Sequence, residues 1–369
     1  MDRRALPLNS ANLRRFRTAL LSWYDQHGRD LPWRRDRDPY RVWVSEIMLQ
    51  QTRVVAVLDH YARFMNRFPT VESLAAARET SVLAIWSGLG YYQRARRMHR
   101  AAKVIAREQG GNFPRTAEAW AELAGIGRYT AAAIASIAFG EAVAVVDGNV
   151  ACVVERLLGL PMGREAVWTK AEALLEPERP GDFNQAMMEL GATVCTPRAP
   201  QCLLCPVHGF CQSRGAEAAR PQSPRKRKQL GYVLARKNSA ILFVQRPADA
   251  SLMAGMWELP AVLPSQVKGD GPWARLRHSI TDTDYQVSVF AVSPDELHIF
   301  ETDGRWLTRR QWERMPLTGL TRKVLRRSQL EPKANVAGPS RLLKKSDKQI
   351  PRRLEPPRNG KLKDLLRRD

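Results

Sequence analysis

For roughly the first 210 residues the apolar positions recur at helical spacing. Residues 12–25, NLRRFRTALLSWYD, put Leu13, Phe16, Leu20 and Trp23 on one face. In 41–52, RVWVSEIMLQQT, apolar residues cover nearly the whole circumference, the mark of a buried helix. Glu46 sits in its middle. Its helical neighbours are Val42, Trp43, Leu49 and Gln50, so no local cation can pair with it. Such a carboxyl either has a raised pKa and holds a proton near neutrality, or is satisfied by distant hydrogen bonds. Helices at 54–68, 71–77 and 82–87 follow, with turns at Pro69 and Gly88. A glycine turn, GLGYY at 88–92, then opens a strongly basic helix. The stretch 123–149 starts with a glycine hairpin, Gly125-Ile126-Gly127. An alanine-rich helix over 128–138 follows, and the stretch ends on Asp147-Gly148-Asn149. Two glycines allow a tight turn and close approach, and a helix N-terminus behind them suits a phosphate. Residues 149–160 read as another buried helix, with Cys152 as core.

At 213–229 the composition becomes polar, basic and proline-containing, which predicts a linker. Beyond it the period falls to two. GYVLARKNSAILFVQRP is a hairpin turning near Lys237-Asn238, with strands at 277–280, 285–292 and 304–307 and a helix at 320–330. The expected organisation is multidomain: an all-α region at 1–212, a basic linker at 213–229, a small α/β domain at 230–331 and a basic, disordered tail at 332–369.

Composition adds a partner. The chain of 369 residues carries 59 Lys and Arg against 37 acidic residues, a net +22, with 44% hydrophobic content. The tail holds about a third of that excess, and the remainder is still basic. Such a field favours nucleic acid. No apolar run reaches the roughly 18–20 residues of a membrane span, and no apolar signal core opens the sequence, so a cytoplasmic, DNA-associated protein is expected. Basic residues beside Tyr91 at the glycine turn suit a wedge into stacked bases, and equally a helix start packed by tyrosines.

Cys195, Cys202, Cys205 and Cys211 follow a C-x6-C-x2-C-x5-C spacing. In a cytosolic chain this points to a metal or iron–sulfur centre rather than disulfides, with zinc the competitor.

Together these pieces resemble the MutY-type adenine DNA glycosylases of the helix-hairpin-helix, endonuclease III superfamily. The resemblance rests on LPWR (31–34), WVSEIMLQQT (43–52), GLGYY, GIGRYTAAAI (125–134), VDGNV (146–150), FNQAMMELGATVC (183–195) and the cysteine run. LMAGMWELP (252–260) resembles their Nudix-like C-terminal domain, without the glutamate-rich hydrolytic box. The resemblance implies one [4Fe–4S] cluster on the four cysteines. It also implies a monomer acting on duplex DNA with A·8-oxoguanine or A·G mispairs, and excision without strand cleavage. By the same resemblance Glu46 is the general acid and base, and Asp147 the carboxylate that stabilises the sugar cation. Tyr129 stands where bifunctional relatives carry a lysine nucleophile. Gln51 and Tyr91 enter the duplex, Trp33 and Arg34 wall the site, and Gln185 reads adenine. Thr52, Leu89, Gly90, Gly125, Gly127 and Asn149 complete the DNA contacts. Asp147 is expected ionised, because it precedes a helix whose dipole and N–H groups favour the anion.

One departure concerns the loop that checks 8-oxoguanine. Ile280-Thr281-Asp282 stands where relatives often carry Phe-Ser-His. Thr281 keeps a hydroxyl, whereas Asp282 adds an anion that repels phosphate. The competing functions are a thymine or damaged-pyrimidine glycosylase and a non-catalytic DNA-binding protein with a structural metal centre.

Overall fold

Capping residues set where the helices begin. Asn9 accepts from the Asn12 N–H at 2.9 Å to start α1 (Ser10–His27). Asp38 does the same for α2 (Pro39–Leu49), whose proline occupies the first turn. In this computed structural model, which describes residues 9–214, 225–250, 252–263, 267, 271–280, 282–299 and 304–328, α2 is buried at Tyr40 and from Val42 to Met48. Around it stand α3 (Val54–Arg67), α4 (Val71–Ala76), α5 (Glu79–Trp86), α6 (Gln93–Glu108), α7 (Ala117–Ala121) and α8 (Arg128–Phe139). Their shared core is dominated by Trp43, Trp86, Trp120 and Phe64, all fully buried. A second core joins α1 to α9 (Gly148–Leu158), α10 (Arg164–Leu174) and α11 (Pro180–Thr193), around Phe16, Val154, Phe183 and Leu190. Loops carrying Cys195, Cys205 and Cys211 pack against its edge.

The expected helix over 41–52 ends early, at Leu49, and Gln51 adopts a left-handed backbone with φ 56°. Arg94 from α6 donates to the carbonyls of Ile47, Met48 and Gln50, and so closes the helix there.

The change of period at residue 230 corresponds to a mixed seven-stranded sheet. Strands β1 (Lys226–Lys237) and β6 (Thr283–Val292) run parallel at its centre. Antiparallel partners flank them: β2 (Ala240–Gln245), β4 (Ala261–Val262) and β5 (Ala274–Ile280) directly, with β3 (Trp257–Glu258) and β7 (Arg305–Thr308) on β2. The β1–β2 turn places Asn238 at φ 53°, a conformation Asn tolerates. Helices α12 (Arg309–Trp312) and α13 (Gly319–Arg327) complete this α/β region, with Trp312, Val324 and Leu325 against one sheet face. The expected linker is too long by four residues, because Lys226–Gln229 already pair with β6. Residues 215–224, Thr281 and the tail at 332–369 lie outside the described residues.

The two regions meet through polar contacts. Ser87 Oγ donates to the Leu317 carbonyl at 2.5 Å and accepts from Arg322 Nε at 2.5 Å. Tyr92 donates to the same carbonyl, and Arg96 donates to the Ala254 carbonyl at 2.6 Å.

Helix α11 lies directly on the start of α9. A Cβ on Gly191 would stand 2.8 Å from both the Cβ and the carbonyl oxygen of Asn149. Gly191→Ala should therefore cost about 1–3 kcal/mol of stability. Urea unfolding checks this; a stability equal to wild type would show that the helices can slide apart freely.

Candidate active site and cysteine centre

A cleft of about 800 Å³ opens between the two helical cores, and both carboxylates singled out in the sequence line it. Glu46 comes from the buried face of α2 and is 6% exposed. Tyr129, in the first turn of α8, donates its phenol to Glu46 Oε2 at 2.8 Å and touches Met188 Sδ at 3.4 Å. Burial pushes the Glu46 carboxyl up to about 7, and the nearby Asp147 adds to the rise. The Tyr129 hydrogen bond and Arg34 oppose it. Both readings of Glu46 thus hold together: it has a distant hydrogen-bond partner, and its pKa is still raised.

Asp147 is the N-cap of α9. It accepts from the Val150 N–H at 2.7 Å and from Asn149 Nδ2 at 3.0 Å. Those donors favour the anion, as expected from the helix start. Burial outweighs them, and the carboxyl still lies above its ordinary range. The expectation of a simply ionised Asp147 is corrected to that extent. Asp147 holds donors on both oxygens, which favour its anion, and a charge there favours the proton on Glu46.

The cleft walls include Trp33, edge-on to Tyr61 with ring centroids 5.2 Å apart, together with Arg34, Gln51, Thr52, Asn149 and Gln185. Gln185 makes no hydrogen bond among the described residues, so its amide is free for a ligand. Arg34 is not free. It donates to Glu189 Oε2 at 3.0 Å, while Arg29 grips the same carboxylate with bonds of 2.5 and 2.8 Å. Burial would raise the Glu189 carboxyl, but the two guanidiniums hold it below its usual value. Glu189 went unnoticed in the sequence, although it lies four residues after Gln185 on the same face of α11.

The glycine hairpin stands beside the cleft, anchored by buried Leu123 and Ile126. Gly125 has φ +85°, and a Cβ there would meet Arg97 Cβ at 2.5 Å. Gly127 caps α8 with open space around it. A second groove is lined by Gln51, Leu89, Gly90 and Tyr91, with Met253 and His278 from the C-terminal region across from them. Asp282 pairs with Lys226 at 3.4 Å, which partly neutralises the anion expected to repel phosphate.

The four cysteines gather around one small cavity beside Arg156. Arg156 donates to Cys195 Sγ at 3.5 Å and to the carbonyls of Thr196 and Pro197 at 2.8 Å each. Burial pushes the Cys205 thiol up to about 11 and raises Cys195 as well. Among the described residues no group of side chains is already arranged to hold a single metal ion. Four sulfurs around one cavity beside a buried cation fit an anionic thiolate-bound group. Cys152, expected as plain core, is half-buried and close enough to influence both Cys195 and Arg156.

Residues 44–177 match the HhH-GPD superfamily of base excision DNA repair proteins. The adenine DNA glycosylase of Homo sapiens is 37% identical over an alignment spanning 86% of this chain and 74% of the human protein. The chain belongs to the adenine DNA glycosylase family. The Arabidopsis thaliana member is 41% identical over 68% of this chain and 48% of its own length. Among solved structures, a thermostable thymine-DNA glycosylase superposes with a TM-score of 0.52 at 31% identity, covering 56% of this chain and 99% of that one. Among the described residues no helix is long and apolar enough to cross a membrane.

The Glu46 environment has a thermodynamic signature for this family member. The unfolded chain ionises Glu46 near its ordinary value of 4.5, whereas the folded chain keeps the proton up to about 7. Raising the pH through that window favours unfolding, by roughly 2–3 kcal/mol from this group. Glu46→Gln removes the dependence. Its stability relative to wild type should rise between pH 5 and pH 8 in urea melts; parallel curves would show that the acid is not buried as described.

Proposed function

We propose that the protein is a base-excision-repair glycosylase that removes adenine mispaired with 8-oxoguanine or guanine in duplex DNA, by hydrolysis and without cutting the strand. The observation that carries this reading is the buried, proton-holding Glu46 beside Asp147, in a cleft also lined by the unpaired amide of Gln185. The human adenine relative matches 86% of the chain, enough to include its sheet region, whereas the thymine-DNA glycosylase is matched almost whole by 56%. That difference supports adenine. Residues 1–212 act as the glycosylase region. Residues 226–331 act as a Nudix-like recognition module, joined to it by the basic segment 213–225.

The chemistry follows from two acids in unlike states. An extruded adenine enters the cleft, where a glutamine amide can donate to N7 and accept from the N6 amino group. As the C1′–N9 bond breaks, the base takes the electron pair and Glu46 supplies the neutralising proton. Tyr129 engages Oε2, leaving Oε1 as the oxygen that carries and gives the proton. The sugar becomes an oxocarbenium-like cation, stabilised by the Asp147 carboxylate. Water adds to C1′ and passes a proton back to Glu46, which restores the acid. Position 129 offers a phenol and no amine, so no Schiff base forms there.

Cys195, Cys202, Cys205 and Cys211 would hold one [4Fe–4S] cluster, with Arg156 beside their sulfurs. Their thiolates would supply the ligands of that group, and binding it would tie together the loops that follow α11. The purified protein should be brown; a colourless protein with one zinc per chain would replace the cluster by zinc.

Duplexes with A opposite 8-oxoguanine, G, C or T, and a T·G duplex, test the substrate, with strand cleavage scored separately. The expected result is adenine release that loses activity as the pH rises through about 7, and no borohydride-trapped adduct. Glu46→Gln should bind DNA and lose excision by 100-fold or more, on the order expected for a general acid. Release of thymine in place of adenine would make this a thymine glycosylase, and full activity in the Glu46 variant would overturn the mechanism.

A further inference from the structure

Gln51 and Tyr91 share an unusual state. Both have a left-handed backbone, with φ 56° and 47°, although neither is glycine. Both are exposed, and both line the groove between the helical and sheet regions. Each such residue costs of order 1 kcal/mol or more, so something must hold it there.

Arg94, the second residue of α6, sits between the two loops. Its Nη1 donates to the carbonyls of Ile47, Met48 and Gln50, at 2.7, 3.0 and 2.6 Å. These lie at the C-terminus of α2, where carbonyls lack helical partners. Its Nη2 donates to Thr52 Oγ1 at 3.2 Å and to the carbonyls of Leu89 and Gly90, at 3.3 and 3.4 Å. The same guanidinium covers the Tyr91 ring at 5.4 Å and the Trp86 ring at 5.4 Å. One planar group therefore ends α2 immediately before Gln51 and fixes the turn immediately before Tyr91.

We infer that Arg94 is a positioning residue that holds Gln51 and Tyr91 at a fixed separation, so that the two side chains enter the DNA stack together when a base is extruded. This rests on the proposed glycosylase reading and adds how the wedges are set. A helix cap alone would need only the carbonyls of Ile47, Met48 and Gln50. The bonds to Leu89 and Gly90, and the cover over Tyr91, serve the second loop and require a two-branched planar donor. Lysine can cap the helix with its ammonium, but it cannot span both loops.

The test compares wild type with Arg94→Lys and Arg94→Ala, each with its melting temperature recorded. Single-turnover adenine release is measured on a paired A·8-oxoguanine duplex and on the same duplex with a base-free spacer opposite adenine. Fluorescence of 2-aminopurine at the target position reports extrusion on binding, independently of excision. For Arg94→Lys, release from the paired duplex should fall about tenfold or more beyond any fall on the spacer duplex, since small misplacements carry penalties of that order. The 2-aminopurine signal should fall with it, while melting stays near wild type. Equal rates on both duplexes, or equal slowing of both with an unchanged 2-aminopurine signal, would overturn the inference. If wild type binds and extrudes 2-aminopurine yet releases no adenine, the glycosylase reading fails, and the fluorescence comparison still decides the role of Arg94.

Discussion

A carboxyl group is placed inside an apolar helix with no cation among its helical neighbours, and much of the molecule is arranged around that placement. Glu46 is carried by α2, the helix that the first core encloses from Val42 to Met48. Charging it there is unfavourable, so the protein keeps it as a hydrogen-bonded acid, with Tyr129 as its partner. Asp147 comes from the opposite core, at a helix start that supplies donors. The cleft exists because two separately packed helical layers each contribute one acid. Neither layer has both.

The other buried charges follow a different rule. Glu189 is ionised because two arginines surround it, and Arg94 and Arg156 spend their donors on loop and helix-end carbonyls. Arginine suits these tasks because its fork reaches several acceptors at once while staying charged. In this chain, basic residues thus do two jobs. Some supply the field that draws in a polyanion, and some are internal braces with little charge left for DNA. Arg34, expected to wall the site, lines the cleft and also braces Glu189.

What the sequence made legible depended on whether a feature was local. Glu46 stood out because its own helical neighbours are all uncharged, and the glycine hairpin because two glycines precede a helix former run. The shift to strands was readable from alternation, down to the turn at Asn238. Partnerships were not. Tyr129 and Glu46 are 83 residues apart, and Glu189 is 160 residues from Arg29. Arg94 looked like one more cation in a basic helix, since nothing local records that α2 ends against it. The early stop of α2 at Leu49 has the same origin: its continuation is prevented by a tertiary contact, not by a breaker residue. Burial at Asp147 was hidden too, because the apolar groups around it come from elsewhere in the chain.

Gln50 shows what such an arrangement does within the fold. Its carbonyl lies in the grip of Arg94, and its side-chain amide donates to Thr130 Oγ1 at 3.0 Å, on the residue after Tyr129. A single residue thus has one end in the segment before Gln51 and the other beside the partner of the acid. The end of α2 and the phenol that holds Glu46 are braced against each other through Gln50 and Thr130, so the loop at the groove and the acid in the cleft share one support.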